Sequence, residues 1–269
     1  MRQIVRTLMM TGALVSLAVP CFAARIVVEG STTVLPIAQR AAEEYMDAHR
    51  DADISVRGGG SGVGIASLIE GTCDIANASR AIKDDELQKA ASRGRAPKAN
   101  VVAMDGIAVI VNNANSVTEL SKKQLKDIFT GKITDWAQAG GSAGQIVAVS
   151  RDSASGTFEA FGELALDKAK VRKDALMQAS NQAVASVVSK TPGAIGYVGL
   201  AYLNGVKALT IDGVDPSKET VLSKQYKLSR PLFMYTNGKP AGLAKDYLDF
   251  IQSPAGQKLV EEEGYVSIR

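Results

Sequence analysis

An α/β fold made of two lobes with mainly parallel strands is what this 269-residue sequence predicts. Three observations carry the prediction. Short β-rich runs alternate with helical patterns along the chain, the order that βαβ units impose. The apolar share, 46%, is enough to fill a complete core. A long apolar run at 101–112 restarts the alternation, and an extended stretch near 228–235 brings the chain back.

The first 23 residues stand apart from this pattern. Arg2 and Arg6 give a positive start, the run from Leu8 to Val19 is largely apolar, and Cys21-Phe22-Ala23 puts small residues where a signal peptidase reads. A secretory signal peptide cleaved after Ala23 is expected, and with it an exported, periplasmic protein. The apolar run is too short to cross a bilayer comfortably. Pro20, where a lipoprotein would carry a small residue before Cys21, speaks against a lipid anchor.

Losing Arg2 and Arg6 takes 31 basic residues to 29, against 28 acidic ones, a net charge of +1. That balance gives no footprint for nucleic acid. Cys73 is then alone and can form no internal disulfide; it reads as a small buried residue. The single histidine, His49, closes a polar helix end. One His and one Cys build neither a His/Cys metal site nor a Ser-His-Asp triad, so no catalytic residue, metal or cofactor is expected.

About 246 residues remain, enough for one large domain or two lobes. "RIVVE" at 25–29 reads as a buried strand, followed by a helix with Val34, Ala38, Ala41 and Tyr45 on one face and Pro36 in its first turn. "DISV", the helix "GVGIASLIEG", the strand "CDIANA" and the charged helix "DDELQKAASRG" complete the first series. After the run at 101–112 come the helix "SKKQLKDIFTG", the strand "QIVAVS", and the helix "TFEAFGELAL" with Phe158, Phe161 and Leu164 or Ala165 inward. The helix "NQAVASVVSK", the strand "GAIGYV", the extended "YKLSRPLFMYTN" and a helix pair broken at Ser253-Pro254 end the chain. No repeat and no low-complexity linker interrupts it. The crossings are therefore expected to be strands, which suits a hinge.

Four strand-to-helix junctions share one chemistry: "EGSTTV" at 29–34, "RGGGSGVG" at 57–64, "NASRAIKDDE" at 77–86 and "SRDSASGTF" at 150–158. Each places Gly, Ser or Thr where the first N–H groups of a helix have no intrahelical acceptor. With the positive end of the helix dipole, such donors make an anion site. Arg80 and Arg151 can each add a planar fork suited to an oxyanion. One such loop is ordinarily an N-cap worth ~1 kcal/mol. Four of them, spread over both lobes and carrying Arg80 and Arg151, point to a shared anion. Nucleotide and hydrolase motifs fail: "GGGSGVG" has no G-x-G-x-x-G, "GKIT" is not a Walker loop, and Val63 breaks G-x-S-x-G.

The mature chain resembles the phosphate-binding proteins of bacterial phosphate ABC transporters. The resemblance rests on "GST" at 30–32 with Pro36, Gly-Ser-Gly at 60–62, "DIFTGKITDW" at 127–136, the Arg-x-x-x-Ser-Gly-Thr of Arg151 to Thr157, and "PGAIGYVGLAY" at 192–202. It implies a two-lobed periplasmic-binding-protein flytrap of type II that encloses dehydrated phosphate and delivers it to a membrane permease, as a monomer and without catalysis. Lobe 1 is expected at 24–104 and 232–269, lobe 2 at 105–231. Ser31, Thr32 and the backbone of Thr33, with Ser61 and Gly62, are expected to bind from the first lobe. Arg151, Ser155, Gly156 and Thr157 are expected to bind from the second, with Asp152 or Ser153 orienting Arg151.

One position departs from the family pattern. Its better-known members carry an aspartate that accepts the phosphate proton, where this chain has Arg80. Arg80 is then expected to hold another oxygen, and Asp105, inside the apolar crossing, to supply the lost acceptor; the alternative for Asp105 is a hinge ion pair, with Arg80 itself as the candidate partner. Without an acceptor, sulfate or another tetrahedral oxyanion would fit as well. A sensor that docks on a membrane partner has the same sequence requirements as a transport receptor. An exported phosphate-ester hydrolase lacks the residues for its chemistry.

Overall fold

A computed structural model describes residues 24–269; the expected signal peptide, 1–23, lies outside the described residues. In chain order the elements are β1 (Ala24–Gly30), α1 (Leu35–Ala48), β2 (Ala52–Gly58), α2 (Ser61–Glu70), β3 (Ile75–Ala78), α3 (Asp84–Ser92) and β4 (Pro97–Val111). Then come β5 (Glu119–Leu120), α4 (Lys122–Phe129), β6 (Val147–Arg151), α5 (Gly156–Leu164), β7 (Leu176–Gln178), α6 (Asn181–Lys190) and β8 (Ala194–Gly199). The last are β9 (Lys207–Ala208), β10 (Thr210–Ile211), α7 (Lys218–Leu222), β11 (Ser229–Asn237), α8 (Gly242–Gln252) and α9 (Pro254–Glu262). The alternation expected from the sequence is present. The pieces the sequence reading passed over (β5, β7, β9, β10 and α7) have two to five residues each, too few for either period to register.

The main sheet runs β2-β1-β3-β11-β4-β8-β6-β7. Its two ends are parallel: β1 pairs with β2 and β3, and β6 with β7 and β8. The middle is antiparallel, where β11 pairs with β3 and β4, and β4 with β8. The protein is therefore two-lobed, with a parallel half-sheet in each lobe and two long strands, β4 and β11, running between them. β4 changes partner midway: residues 97–106 pair with β11, and 107–111 with β8.

The core divides at the same place. One apolar cluster takes its buried residues from 107–228 plus Val266. Two others draw on 26–103 and 232–265. In the first series α1 buries Ile37, Ala38, Ala41, Ala42 and Tyr45, the face its spacing predicts. Tyr247 meets Tyr45 edge to face and donates its hydroxyl to the Ala38 carbonyl at 2.6 Å. In the second, Phe129, Phe161 and Tyr197 pack as a trio, Phe161 stacked on Tyr197 at 3.9 Å. Trp136 donates to the Gly193 carbonyl at 3.0 Å, so two of the sequence motifs, "DIFTGKITDW" and "PGAIGYVGLAY", are held to each other.

A buried ion pair sits where the two strands cross. Asp105 and Arg230 are direct antiparallel partners. Arg230 donates to Asp105 Oδ2 from Nη2 at 3.1 Å and from Nε at 3.3 Å, and Leu200 N–H donates to Oδ1 at 3.1 Å. The carboxylate is fully buried and the guanidinium nearly so. Burial pushes the Asp105 carboxyl up and the Arg230 guanidinium down, and each partner's charge opposes the other's shift. A guanidinium does not give up its proton in proteins, so the pair stays ionic.

His49 is exposed just past α1, its Nδ1 2.9 Å from the Tyr45 carbonyl and its ring stacked on Tyr45. Cys73 is buried against Gly64, and burial pushes its thiol up to about 12.

Two outcomes follow from these interiors. Asp105→Asn leaves Arg230 buried without a counter-ion and should destabilise the fold by roughly 3–5 kcal/mol, read as a lower urea midpoint; an unchanged midpoint would mean the pair contributes nothing. Cys73, buried and protonated, should resist a thiol reagent at pH 8 in the native protein and react fully once denatured.

Candidate anion-binding site

Four loops converge at the carboxyl ends of β1, β2, β3 and β6, the edge where open α/β sheets take their ligands. Two glycines let them approach. Gly30 (φ +137°) and Gly60 (φ +97°) occupy backbone conformations that L side chains rarely adopt, and a Cβ on Gly60 would meet the Ala154 carbonyl of the opposing loop. Gly62 N–H donates to that same carbonyl at 2.9 Å, tying the start of α2 to the loop before α5. A Cβ on Gly156 would collide with the hydroxyls of Ser61 and Ser79. The first residue of α5 thus faces two serines of the other lobe with no room for a side chain.

The hydroxyls here are committed as acceptors to protein N–H groups. Ser61 Oγ accepts from Ser79 N–H at 3.0 Å, and Ser155 Oγ caps α5 by accepting from Phe158 N–H at 3.2 Å. Thr32 Oγ1 accepts from Arg151 Nη2 at 3.3 Å and Asn181 Nδ2 at 3.1 Å. A hydroxyl has one proton to give and two lone pairs. When those pairs face N–H donors, its own proton is what it offers to a third group. To these protons the loops add the backbone N–H groups of Gly156 and Thr157, which have no intrahelical acceptor at the start of α5. The cradle is a set of donors, and Ser31, Thr32, Ser61, Ser79, Arg151, Ser155 and Thr157 are all buried.

Arg151 is its charged member, 1% exposed. Its Nε donates to the Gln178 carbonyl at 3.0 Å and its Nη2 to the Ala179 carbonyl at 2.9 Å. Its Nη1 is buried without a hydrogen-bond partner among the described residues, and no carboxylate lies in salt-bridge range. Burial lowers its pKa, and the nearby charge of Asp152 works the other way. The backbone under it is fixed by Tyr197, whose hydroxyl accepts from Arg151 N–H at 3.2 Å and lies 2.8 Å from Ser150 Oγ. Burial raises that hydroxyl to about 12, so it stays protonated.

Behind the cradle Arg230 reaches forward from its pair with Asp105. It donates to Thr157 Oγ1 at 2.9 Å, Thr33 Oγ1 at 3.4 Å and the Gly156 carbonyl at 3.3 Å. Thr33 Oγ1 also lies 2.9 Å from Thr157 Oγ1 and accepts from Asn181 Nδ2 at 3.1 Å. Tyr202 and Tyr265 donate their hydroxyls to the carbonyls of Thr32 and Thr33.

The structure brings Ser31, Thr32, Ser61, Gly62, Arg151, Ser155, Gly156 and Thr157 together at one place. Four expectations need correction. Arg80 turns away: its guanidinium takes Glu86 through Nη1 at 2.8 Å and Nη2 at 2.7 Å, and its Nε lies 2.6 Å from Glu159. Burial pulls its pKa down, but Glu86 and Glu159 outweigh burial and raise it. Asp105 is spent on Arg230 and Leu200 and forms the hinge pair, with Arg230 and not Arg80 as its partner. Thr33 N–H already donates to Ser31 Oγ at 3.2 Å, and its side chain serves Arg230. Arg151 is oriented by two carbonyls; Asp152 Oδ1 instead accepts from Ala154 N–H at 3.0 Å.

Ser79, Asn181 and Arg230 were missed. Ser79 stands next to Arg80 in a loop already singled out, and Asn181 opens a helix right after its cap, Ser180. Arg230 is a charge in the extended return, the natural mate for a charge in the outgoing crossing. Among the described residues no group of His, Cys, Asp and Glu is placed to hold a metal ion, and no helix is long and apolar enough to cross a membrane.

Residues 19–255 match the model of the PBP superfamily domain. The phosphate-binding protein PstS of Bacillus subtilis (strain 168) is 37% identical over 249 residues, 90% of this chain and 80% of that protein. PstS of Staphylococcus aureus (strain USA300) is 35% identical over 254 residues, 89% of this chain and 77% of that protein. Among solved structures, a phosphate ABC transporter substrate-binding protein from Clostridium perfringens, with bound phosphate, superposes with a TM-score of 0.85 at 33% identity, covering 91% of this chain and 100% of the other. An ABC-type phosphate transport receptor from Vibrio cholerae gives 0.74 at 33% identity, over 90% and 99%. A donor-only cradle at the mouth of a two-lobed α/β fold, matched over nine-tenths of its length by these proteins, belongs to the PstS-type phosphate-binding proteins of the PBP superfamily.

Proposed function

We propose that the protein captures inorganic phosphate between its lobes in the periplasm and delivers it to the membrane permease of an ABC transporter. One observation carries the reading. Arg151 is a buried cation held by neutral carbonyls, with Nη1 unpartnered among the described residues. An isolated buried charge is costly and calls for a counter-ion. The donors around it, hydroxyls of both lobes and the N-terminus of α5, suit a tetrahedral oxyanion with acceptors on every side. The relatives named above are called phosphate-binding proteins, which favours phosphate among such anions.

The lobes divide, on this reading, at 104/105 and 231/232, and residues 1–23 are the export signal. The cradle uses both lobes at once, so the anion selects the closed form. The chain acts as a monomeric binding protein and turns nothing over. A nucleophile would need a base beside it, and the histidine lies at the far end of α1.

One observation favours a second reading, a receptor for sulfate as well. Among the described residues the nearby carboxylates are paired elsewhere, so nothing of that kind rejects an anion without a proton to give. Calorimetric titration of refolded, ligand-free protein with phosphate, sulfate, arsenate and molybdate separates the readings. Heat with phosphate and arsenate alone is the expected result; heat with sulfate at similar affinity would favour the broader receptor, and none with all four would sink both. In the same assay Arg151→Ala should weaken phosphate binding at least tenfold, since a charge-assisted hydrogen bond is worth ~1.5–3 kcal/mol. An unchanged dissociation constant would reduce Arg151 to a structural residue.

A further inference from the structure

The residue that departs from the family pattern has its own place in the molecule. Arg80 follows β3 in the first lobe, and its side chain is 8% exposed. Its two terminal nitrogens are taken by both oxygens of Glu86, on α3 of the same lobe. Nη1 also donates to the Ala81 carbonyl at 2.9 Å. That leaves Nε, which lies 2.6 Å from Glu159 Oε2 across the cleft. Lys83 Nζ donates to the other oxygen of Glu159 at 2.8 Å. Among the described residues these are the two salt bridges that join the lobes as divided above, and both end on Glu159.

Glu159 stands in the first turn of α5, the helix whose N-terminus belongs to the cradle. We infer that Arg80 and Lys83 form, with Glu159, an interlobe latch that holds the closed state and sets the rate at which the bound anion leaves. The inference rests on the proposed capture of phosphate by lobe closure. It replaces the direct ligand role expected of Arg80 with a positioning role: Arg80 acts on the anion through α5.

The geometry explains why the latch is effective and reversible. Glu86 keeps the Arg80 guanidinium oriented and neutralised on its own lobe, so closure orders little that was free before. On opening, Arg80 keeps Glu86, and Glu159 regains water. Neither state strands a buried charge. A pocket of about 320 Å³ lined by Arg80, Lys83, Glu159 and Glu163, and by no cradle residue, adjoins the pair. The latch is therefore a rim device, separate from the donors that read the anion. With Glu86 included, two cations balance two carboxylates, so Glu159 adds no net negative charge near the anion.

Glu159→Gln tests this with shape preserved. By stopped flow, the variant should release phosphate at least about fivefold faster, with the association rate changed less than twofold. The phosphate-to-arsenate affinity ratio should stay at its wild-type value, because the latch touches no ligand. In a double-mutant cycle, Arg80→Ala should add little once Glu159 is Gln. Small-angle scattering without phosphate should give the variant a larger mean radius. An unchanged release rate together with an unchanged radius would overturn the latch, as would tighter phosphate binding by the variant, which would show Glu159 acting by repulsion alone. A wild type that binds no phosphate would sink the proposed function, and the phosphate-free radius would still decide the latch.

Discussion

The pairing of Asp105 with Arg230 is the interaction on which the rest of the molecule depends. It sits where two strands pass between two lobes, with both charges buried. Each charge is there because the other is, and each has spare valence that it spends locally. Asp105 takes the N–H of Leu200 after β8, and Arg230 holds Thr33 of the first loop and Gly156 and Thr157 of the last. One ion pair thereby fixes the strand crossing and brings the start of α1 to the start of α5. Similar-sized apolar residues could fill that volume, but they could not offer donors in those directions.

In front of the pair, the binding chemistry is set by what each group has left to give. Serine and threonine hydroxyls are ambivalent in isolation. Here backbone and side-chain N–H groups take up hydroxyl lone pairs of Thr32, Ser61 and Ser155, which leaves those hydroxyls to act as donors. The N-terminus of α5 and one guanidinium without a carboxylate partner among the described residues add to the same polarity. Low local dielectric strengthens every one of these hydrogen bonds and raises the cost of leaving them unmade. A cradle of this kind is selective by polarity before it is selective by shape, because a neutral or cationic guest would strand the donors.

Arg80 shows how one residue type can serve opposite purposes at neighbouring positions. Among the described residues Arg151 is buried against carbonyls with no anionic partner, and Arg80 is buried against two carboxylates. Sequence places both in Ser-rich strand-to-helix loops. The difference is made by what the other segments bring: α3 and α5 carry Glu86 and Glu159 to Arg80, whereas β7 and its following turn bring only carbonyls to Arg151.

The sequence by itself determined the layered alternation, the two crossings, the four anion-seeking loops and most of the cradle. Those features are local: a helical or strand period, glycine where backbones must approach, and hydroxyls at helix starts can all be read from adjacent residues. It also marked Asp105 as a charge that needed a partner. The tertiary structure alone decided which partner, because Asp105 and Arg230 are 125 residues apart and meet only through the register of β4 on β11. It likewise decided that Arg80 looks outward, that Asn181 and Ser79 look inward, and that carbonyls hold Arg151. Side-chain direction at a loop depends on charges delivered by distant segments, and no periodicity within the loop carries that information.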